Sequence, residues 1–384
     1  MPDVVVVGGG IIGVACAEQL AARGASVTLV ERDHLAAGAS GRNAGLWATP
    51  DDPATVEMAR RSLARYLDLA DTTPFPVVAD REAYGLVSVT TDEDEDDIAD
   101  AVRRLQELGV KAEHLRPEEL HELEPAISPA FTGAWLVHDG RRVDPTALTV
   151  GLALRARELG ARIQHHLTVR SLTMAGDRVT GVITDDGVIA SADVVIAAGP
   201  WSGTLLDPVG VRLRIIATRG WLVRLAPERP PISRWVEASG RSLFRRPVRA
   251  ITAGDYARES GELDLGATLQ PLPNGTLLAG SSRQLALTDE PDDPSVPREI
   301  VRGAIELVPA LADATVESAW WGIRPMTPDD RPIVGRVRDG LVVATGHGSE
   351  GVILGAGTAE LVASILIGDE PPFDPAPFHP SRLA

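Results

Sequence analysis

Hydrophobic positions along the chain alternate between short continuous apolar runs and runs with helical spacing. Val4-Val5-Val6-Val7 is a continuous run, the pattern of a parallel strand buried on both faces. It leads directly into Gly8-Gly9-Gly10-Ile11-Ile12-Gly13, after which Ala15, Leu20 and Ala21 recur at helical spacing until Gly24. Residues 26–30 read as a second strand that ends at Glu31, eighteen residues after Gly13. Each glycine has a mechanical reason to be there. Gly8 allows the tight turn, Gly10 lets backbone approach a pyrophosphate, and Gly13 lets helix and strand pack closely. The helix start offers unpaired N–H groups and a partial positive charge to that anion. Glu31 can accept hydrogen bonds from a ribose hydroxyl. Strand, glycines, helix, strand and acid in this order predict a dinucleotide site, but do not separate FAD from NAD.

The same reading extends down the chain. The segment from Leu35 to Gly45 is rich in small residues and lets backbone come close to a flat group, with Arg42 and Asn43 as donors. Residues 54–70 present Val56, Ala59, Leu63, Tyr66 and Leu67 on one helical face. A strand at 85–90 precedes an acidic-headed helix over 92–108, where charge sign matches the helix dipole and no metal site is needed. Asp144 and Pro145 predict an N-cap and first turn for a helix through Leu159. Strands are expected at 162–166, 169–173, 179–184 and 192–199. His165 and His166 are adjacent, so in a strand they point to opposite faces and cannot pair as ligands. Runs at 212–225, 233–238, 248–253 and 266–271 predict an antiparallel sheet closed by Gly280-Ser281-Ser282-Arg283. A helix at 296–307, a strand at 341–345 and a small-residue helix at 352–367 complete the pattern.

Composition narrows the classes. The 384 residues, 44% hydrophobic, are enough for more than one core. A net charge of −17 argues against nucleic acid and anionic membrane as partners. The longest apolar run, Leu361 to Ile367, is too short to span a membrane, and residues 4–7 are too short for a signal-peptide core. Cys16 is the single cysteine, which excludes intrachain disulfides and cysteine-based metal sites. A reducing cytoplasm is the expected location, and no metal is expected.

The ordered motifs Gly8–Gly13 with Glu31, Gly38-Ala39-Ser40 with Asn43-Ala44-Gly45, Val143-Asp144-Pro145, Ala197-Ala198-Gly199-Pro200-Trp201, Gly322-Ile323-Arg324-Pro325 and Gly346-His347-Gly348 resemble one family. It is the D-amino-acid-oxidase-like (DAO) flavoproteins, which include glycine oxidase, sarcosine oxidase and D-amino-acid dehydrogenases. The likeness covers essentially the whole chain. A narrower likeness, at Gly280–Arg283, Arg324–Asp329 and Gly348–Gly351, is to opine oxidases, D-hydroxyproline dehydrogenases and hydrogen cyanide synthase subunits.

The resemblance implies an α/β fold with a Rossmann-like FAD-binding domain over 1–80, 144–210 and 314–384. A discontinuous second domain over 81–143 and 211–313 would carry a largely antiparallel sheet. It implies FAD, because the Gly-His-Gly segment returns to the flavin in that family. The FAD should be noncovalent, since this chain lacks the C-terminal cysteine of covalently flavinylated sarcosine oxidases. Ser40-Gly41-Arg42-Asn43 replaces their His-rich loop, which counts against sarcosine as substrate. The implied cofactor residues are Gly8, Gly10, Ile12, Gly13, Glu31, Arg32, Ala39, Ser40, Arg42, Asn43, Ala44, Gly45, Val169, Ala198, Gly199, Trp201, Gly322, Gly348, Ser349, Glu350, Gly351 and Val352. Arg324 looks like the family's carboxylate clamp. Arg283 is either a second grip or an ordinary ion pair, and His347 either touches flavin or substrate or is a satisfied structural histidine. Glu350 is expected to cap the last helix, and one of Trp320 and Trp321 to wall the pocket.

The implied reaction is oxidation of the C–N bond of an amino acid or N-substituted amino acid, with hydride transfer to flavin N5 and hydrolysis of the imine. The partners are then a small amino-acid or amine substrate and either O2 or a redox partner as electron acceptor, and the chain can be a homo-oligomer or a complex subunit. Two alternatives stay open at this point: an NAD-dependent dehydrogenase on the same fingerprint, and a flavoprotein subunit that passes electrons to a partner chain.

Overall fold

In this computed structural model, residues 2–77, 79–90, 95–238, 264–285 and 293–383 are described. Val4–Val7 forms a fully buried strand at the centre of a six-stranded sheet. The order is Ile333–Arg338, Leu341–Thr345, Asp193–Ile196, Val4–Val7, Val27–Val30 and Arg162–Gln164. All neighbours run parallel except the first pair, which is antiparallel. Helices Ile11–Ala22, Pro145–Glu158 and Gly351–Ile367 cover one face, and Pro53–Thr72 packs on the last of these. The other face is covered by a three-stranded antiparallel sheet of Val169–Ala175, Arg178–Thr184 and Gly187–Ala190. Ile11–Ala22 is buried nearly all round, which is why its apolar residues show no single stripe.

Local chemistry sets the helix starts. The Asp144 carboxylate accepts from the Ala147 N–H at 2.8 Å, with Pro145 in the first turn. Asp52 does the same for Ala54 at 3.1 Å ahead of Pro53. The contact between Pro53–Thr72 and Gly351–Ile367 depends on small residues. A Cβ added at Gly357 would stand 2.3 Å from the Met58 carbonyl oxygen. Beside it the buried Tyr66 hydroxyl donates to the Val352 carbonyl at 2.9 Å.

A second, eight-stranded sheet runs Thr315–Met326, Ile216–Ala226, Leu277–Leu285, Asp264–Pro271, Trp235–Ala238, Leu86–Thr90, Gly133–Val137 and Ala112–Leu115. Among the described strands only Leu86–Thr90 and Trp235–Ala238 pair in parallel, so the sheet is largely antiparallel as expected. Val296, Ile300, Ala304 and Leu307 of helix Ser295–Leu307 bury a regular stripe against it.

Two expectations are corrected, and four strands are added. Gly280–Arg283 does not close the sheet but lies inside strand Leu277–Leu285, because the ladder to Ile216–Ala226 continues to Leu285. The boundary expected at 314 falls after Met326, since Thr315–Met326 pairs along its length with Ile216–Ala226. Strands Ala112–Leu115, Gly133–Val137, Gly187–Ala190 and Ile333–Arg338 were not foreseen, their local patterns being short or mixed. The strand expected at 248–253 and the acids Asp92 to Asp94 lie outside the described residues. Among the described residues no helix is long and apolar enough to cross a membrane.

Gly357→Ala forces its Cβ against backbone that cannot swing away, and should cost about 1–3 kcal/mol. Urea unfolding checks this; an unchanged midpoint would contradict the close helix contact.

Candidate functional site

The C-terminal ends of the parallel strands open onto a cavity of about 560 Å³, lined by Val7, Val30, Ala197 and Thr345. Open parallel sheets bind ligands at this position because the helix starts that follow the strands converge there. Its volume falls in the range of small-molecule and cofactor sites. On the opposite side it is walled by Trp321 to Pro325, from the edge strand of the eight-stranded sheet. The cavity therefore lies where the two sheets meet.

At one end the Glu31 carboxylate accepts from the Gly9 N–H at 2.6 Å and from the Asp33 N–H at 2.9 Å. The chain next to it is folded back by His166 at φ 58°, so that the Leu167 N–H donates to the Glu31 carbonyl at 2.9 Å. This brings Leu167, Thr168, Val169 and Arg170 into the lining. The Arg32 guanidinium stacks 3.8 Å above the Trp201 ring, and both residues line the cavity. In the middle, helix Ile11–Ala22 starts at Gly10, and Ser40 Oγ accepts the Ile11 N–H at 2.9 Å. Asn43 staples the small-residue loop: its Nδ2 donates to the Ala39 and Ser40 carbonyls, and its Oδ1 accepts from the Gly45 N–H. Arg42 donates from Nε to the Ala37 carbonyl at 2.8 Å and from Nη1 to the Trp321 carbonyl at 3.1 Å.

At the far end Arg324 donates from Nη1 to the Ser282 carbonyl at 3.0 Å. Its guanidinium lies over Gly220, where an added Cβ would stand 1.9 Å from Nη1. His347 lines the cavity although only 3% of it is exposed, with Nε2 2.9 Å from Thr358 Oγ1. Burial pushes its pKa down to about 3, so the imidazole is neutral. Gly348, Ser349, Gly351 and Val352 complete this end.

Several expected site residues stand elsewhere. Gly13 is outside the lining; its missing Cβ lets the helix pack on Gly8, whose carbonyl would be 1.9 Å away. Gly45, at φ 76°, is needed for close contact with the Val143 carbonyl, and Ala44 packs in a separate apolar cluster. Arg283 sits in strand Leu277–Leu285 and is not part of the cavity lining, with Nη1 unpartnered among the described residues. Glu350 occupies the N-cap position of Gly351–Ile367, but its side chain makes no capping bond and does not line the cavity. Loss of water around its carboxyl, with Asp51, Asp52 and Asp330 nearby, pushes its pKa up to about 7. Of the two tryptophans, Trp321 walls the pocket; Trp320 is half-buried and donates to the Arg42 carbonyl. Sequence reasoning missed Gly38, Thr168, Arg170, Thr204 and Thr345 in the lining.

The residues present fit FAD. Gly8 at φ 117°, Gly199 at φ 54° and Gly348 at φ 52° hold turns around the cavity. A Cβ on Gly199 would project into open space, and one on Gly10 would meet only Ser40. Backbone can thus reach a ligand at these points. An anchored carboxylate, a helix start and a far end with the neutral His347 and the Arg324 guanidinium follow one another along the lining, in the order ribose, pyrophosphate and ring system require.

Known proteins share this architecture. The family model described as FAD dependent oxidoreductase (DAO) matches residues 3–365. Glycine oxidase of Pseudomonas aeruginosa is 30% identical over 393 residues, covering 98% of this chain and 98% of that protein. D-amino acid dehydrogenase of Rhizobium rhizogenes is 27% identical over 440 residues, covering 99% of each. The bifunctional protein ThiO/ThiG of a Nostoc species is 30% identical over 99% of this chain, which spans 55% of that protein's length. The crystal structure of glycine oxidase from Geobacillus kaustophilus superposes with a TM-score of 0.85 at 27% identity, covering 99% of this chain and 98% of that one.

Glu350 is held neutral by the fold at pH values where an unfolded glutamate is ionised. Its raised pKa contributes stability that is present below the ordinary value of 4.5 and is lost as pH rises through about 7. Glu350→Gln should therefore unfold at higher urea than the parent at pH 8. The advantage should vanish near pH 4.5, and a pH-independent difference would refute it.

Proposed function

The chain belongs to the FAD-dependent oxidoreductase (DAO) family, and we propose that this cavity oxidises the C–N bond of a small free or N-substituted amino acid held by Arg324. FAD-dependent oxidation of amino acids is supported by the glycine oxidase and D-amino acid dehydrogenase relatives. The observation that carries the reading for this site is Arg324 lining the same cavity as the Gly8–Gly10 turn and Glu31.

When bound, FAD supplies the two-electron acceptor. Glu31 would hold the ribose, and the Gly10–Ile12 helix start with Ser40 would hold the pyrophosphate. Gly322, Gly348 and Gly351 would leave room for the ring system. The start of helix Gly351–Ile367, uncapped by the Glu350 side chain, brings partial positive charge to that end. Arg324, oriented by the Ser282 carbonyl, would grip the substrate carboxylate, its planar guanidinium having five donors in all. Among the described residues no ionised base stands at this end: His347 is neutral, and the acids in the lining, Glu31 and Asp33, are at the other. Loss of hydride from a neutral amine needs none.

Molecular oxygen is the acceptor favoured by the glycine oxidase likeness along 98% of the chain. The alternative of a subunit dependent on a partner chain is not favoured. We place the enzyme in the reducing cytoplasm, where the buried Cys16, its thiol pushed up to about 12, stays inert.

Three measurements test this. Anaerobic addition of glycine, sarcosine or D-amino acids to the yellow protein should bleach the flavin band, and air should restore it; a protein that neither retains nor takes up FAD would sink the proposal. Arg324→Ala should then lower kcat/KM by about 100-fold, roughly 3 kcal/mol for two charge-assisted bonds. Gly220→Ala, which displaces only the flexible end of Arg324, should raise KM about 10-fold or more while FAD affinity stays unchanged. Unchanged KM in Gly220→Ala would show that the carboxylate binds elsewhere.

A further inference from the structure

The strand that orients Arg324 carries a second guanidinium. Arg324 donates from Nη1 to the Ser282 carbonyl at 3.0 Å, and the next residue along is Arg283. Strand pairing gives the face on which Arg283 stands. Gly322 and Arg324 share one face of Thr315–Met326. An added Cβ at Gly322 would lie 3.1 Å from Arg42 Cβ, so this face looks toward the small-residue loop of the first sheet. Gly220 pairs with Gly322 and Thr218 with Arg324, which carries the same face onto Ile216–Ala226.

A bulge then decides the direction of Arg283. Leu222 pairs with Gly280 and Arg219 with Gln284, so three steps on one strand are matched by four on the other. An extra residue of this kind turns the side chains beyond it to the opposite face. Ala279 packs in the core under helix Ser295–Leu307, and without the bulge Arg283 would follow it there. Beyond the bulge Thr218 pairs with Leu285, which returns Leu285, and Arg283 two residues before it, to the face of Arg324. The other neighbouring strand agrees. Ser282 pairs with Leu265, which packs against that same core, and Arg283 as the next residue faces away from it.

Arg283 is half-buried, and its Nη1 is fully buried with no hydrogen-bond partner among the described residues. A guanidinium does not deprotonate, so this donor cannot be relieved by losing its charge. A buried, charged and unpaired donor calls for an acceptor. Arg283 is not part of the cavity lining, whereas Arg324 is, so its acceptor is not the group that Arg324 holds inside. The Ser282 carbonyl nevertheless keeps the two guanidiniums side by side on one sheet face. Like charges in that arrangement repel, and a ligand with two anionic groups relieves both where a ligand with one relieves only one.

We propose that Arg283 is a specificity residue for a second carboxylate on the substrate, bound past Arg324 on the same face. The substrate class is then an amino acid that carries a further carboxylate, on its side chain or on its nitrogen substituent. This deepens the function proposed above and rests on its assignment of Arg324.

Calorimetric titration of the holoenzyme with glutarate and with butanoate reads the pair without turnover. Glutarate should bind about tenfold or more tighter, the effect of charge-assisted hydrogen bonds to one further carboxylate. The ratio of the two Kd values should fall toward one in Arg283→Gln and be largely kept in Arg283→Lys; Arg283→Met serves where the glutamine variant does not fold. It should also shrink as ionic strength rises. Equal affinities in the parent, or an unaltered ratio in the neutral variants, would overturn the proposal. Turnover then gives the source of the second carboxylate. A higher kcat/KM for D-glutamate than for D-glutamine places it on the side chain. A higher value for N-(2-carboxyethyl)glycine than for N-propylglycine places it on nitrogen, and no preference within either pair would again overturn the proposal. A protein that oxidises no amino acid fails the function proposed above instead, while the glutarate ratio still tests Arg283.

Discussion

The distance between the end of the first strand and the helix that follows it governs the rest of the structure. Gly13 lies so close to Gly8 that a single methyl group would fall 1.9 Å from the Gly8 carbonyl oxygen. Only that approach lets Ile11–Ala22 begin where Val4–Val7 stops, with its N–H groups pointing into the cavity. Removal of side-chain bulk here is the condition for an anion site. The flanking strands contribute because they are parallel: Val7, Val30, Ala197 and Thr345 all arrive at the same edge of the sheet.

A dinucleotide site alone does not choose a substrate. On the reading proposed above that choice falls to Thr315–Met326, the edge strand of the second sheet, which walls the cavity before the chain returns to the first sheet at Ile333. Gly322 on this strand lies against Arg42, where an added Cβ would be 3.1 Å from Arg42 Cβ. Two residues later Arg324 turns toward Gly220 and Ser282, on two neighbouring strands. Three strands of one sheet thus fix one guanidinium, and the absence of a side chain at Gly220 makes the room for it.

The two titratable groups near the start of the last helix are displaced in opposite senses by the same cause. Burial lowers the pKa of His347 and raises that of Glu350, so each is biased toward its uncharged form. Among the described residues, the cavity end beneath Arg324 consequently holds little fixed charge apart from arginine.

What the sequence determined by itself was whatever depends on near neighbours. The strand–glycine–helix–strand–acid unit, the Asp144-Pro145 helix start and the glycine turns were legible because their causes lie within a few residues of one another, as was the likeness those motifs carry. Glu31, Arg42 and Arg324 could be singled out for the same reason. The tertiary structure decided which groups share a space. Arg283 lies inside strand Leu277–Leu285, which continues through it instead of turning, and is not part of the cavity lining. Trp321 and not Trp320 reached the cavity because adjacent strand residues face opposite ways, and the phase is set by pairing with Ile216–Ala226. Gly45 went to Val143, and His347 found Thr358 one helix face away. These outcomes rest on contacts between segments far apart in the chain, whose register no local pattern encodes.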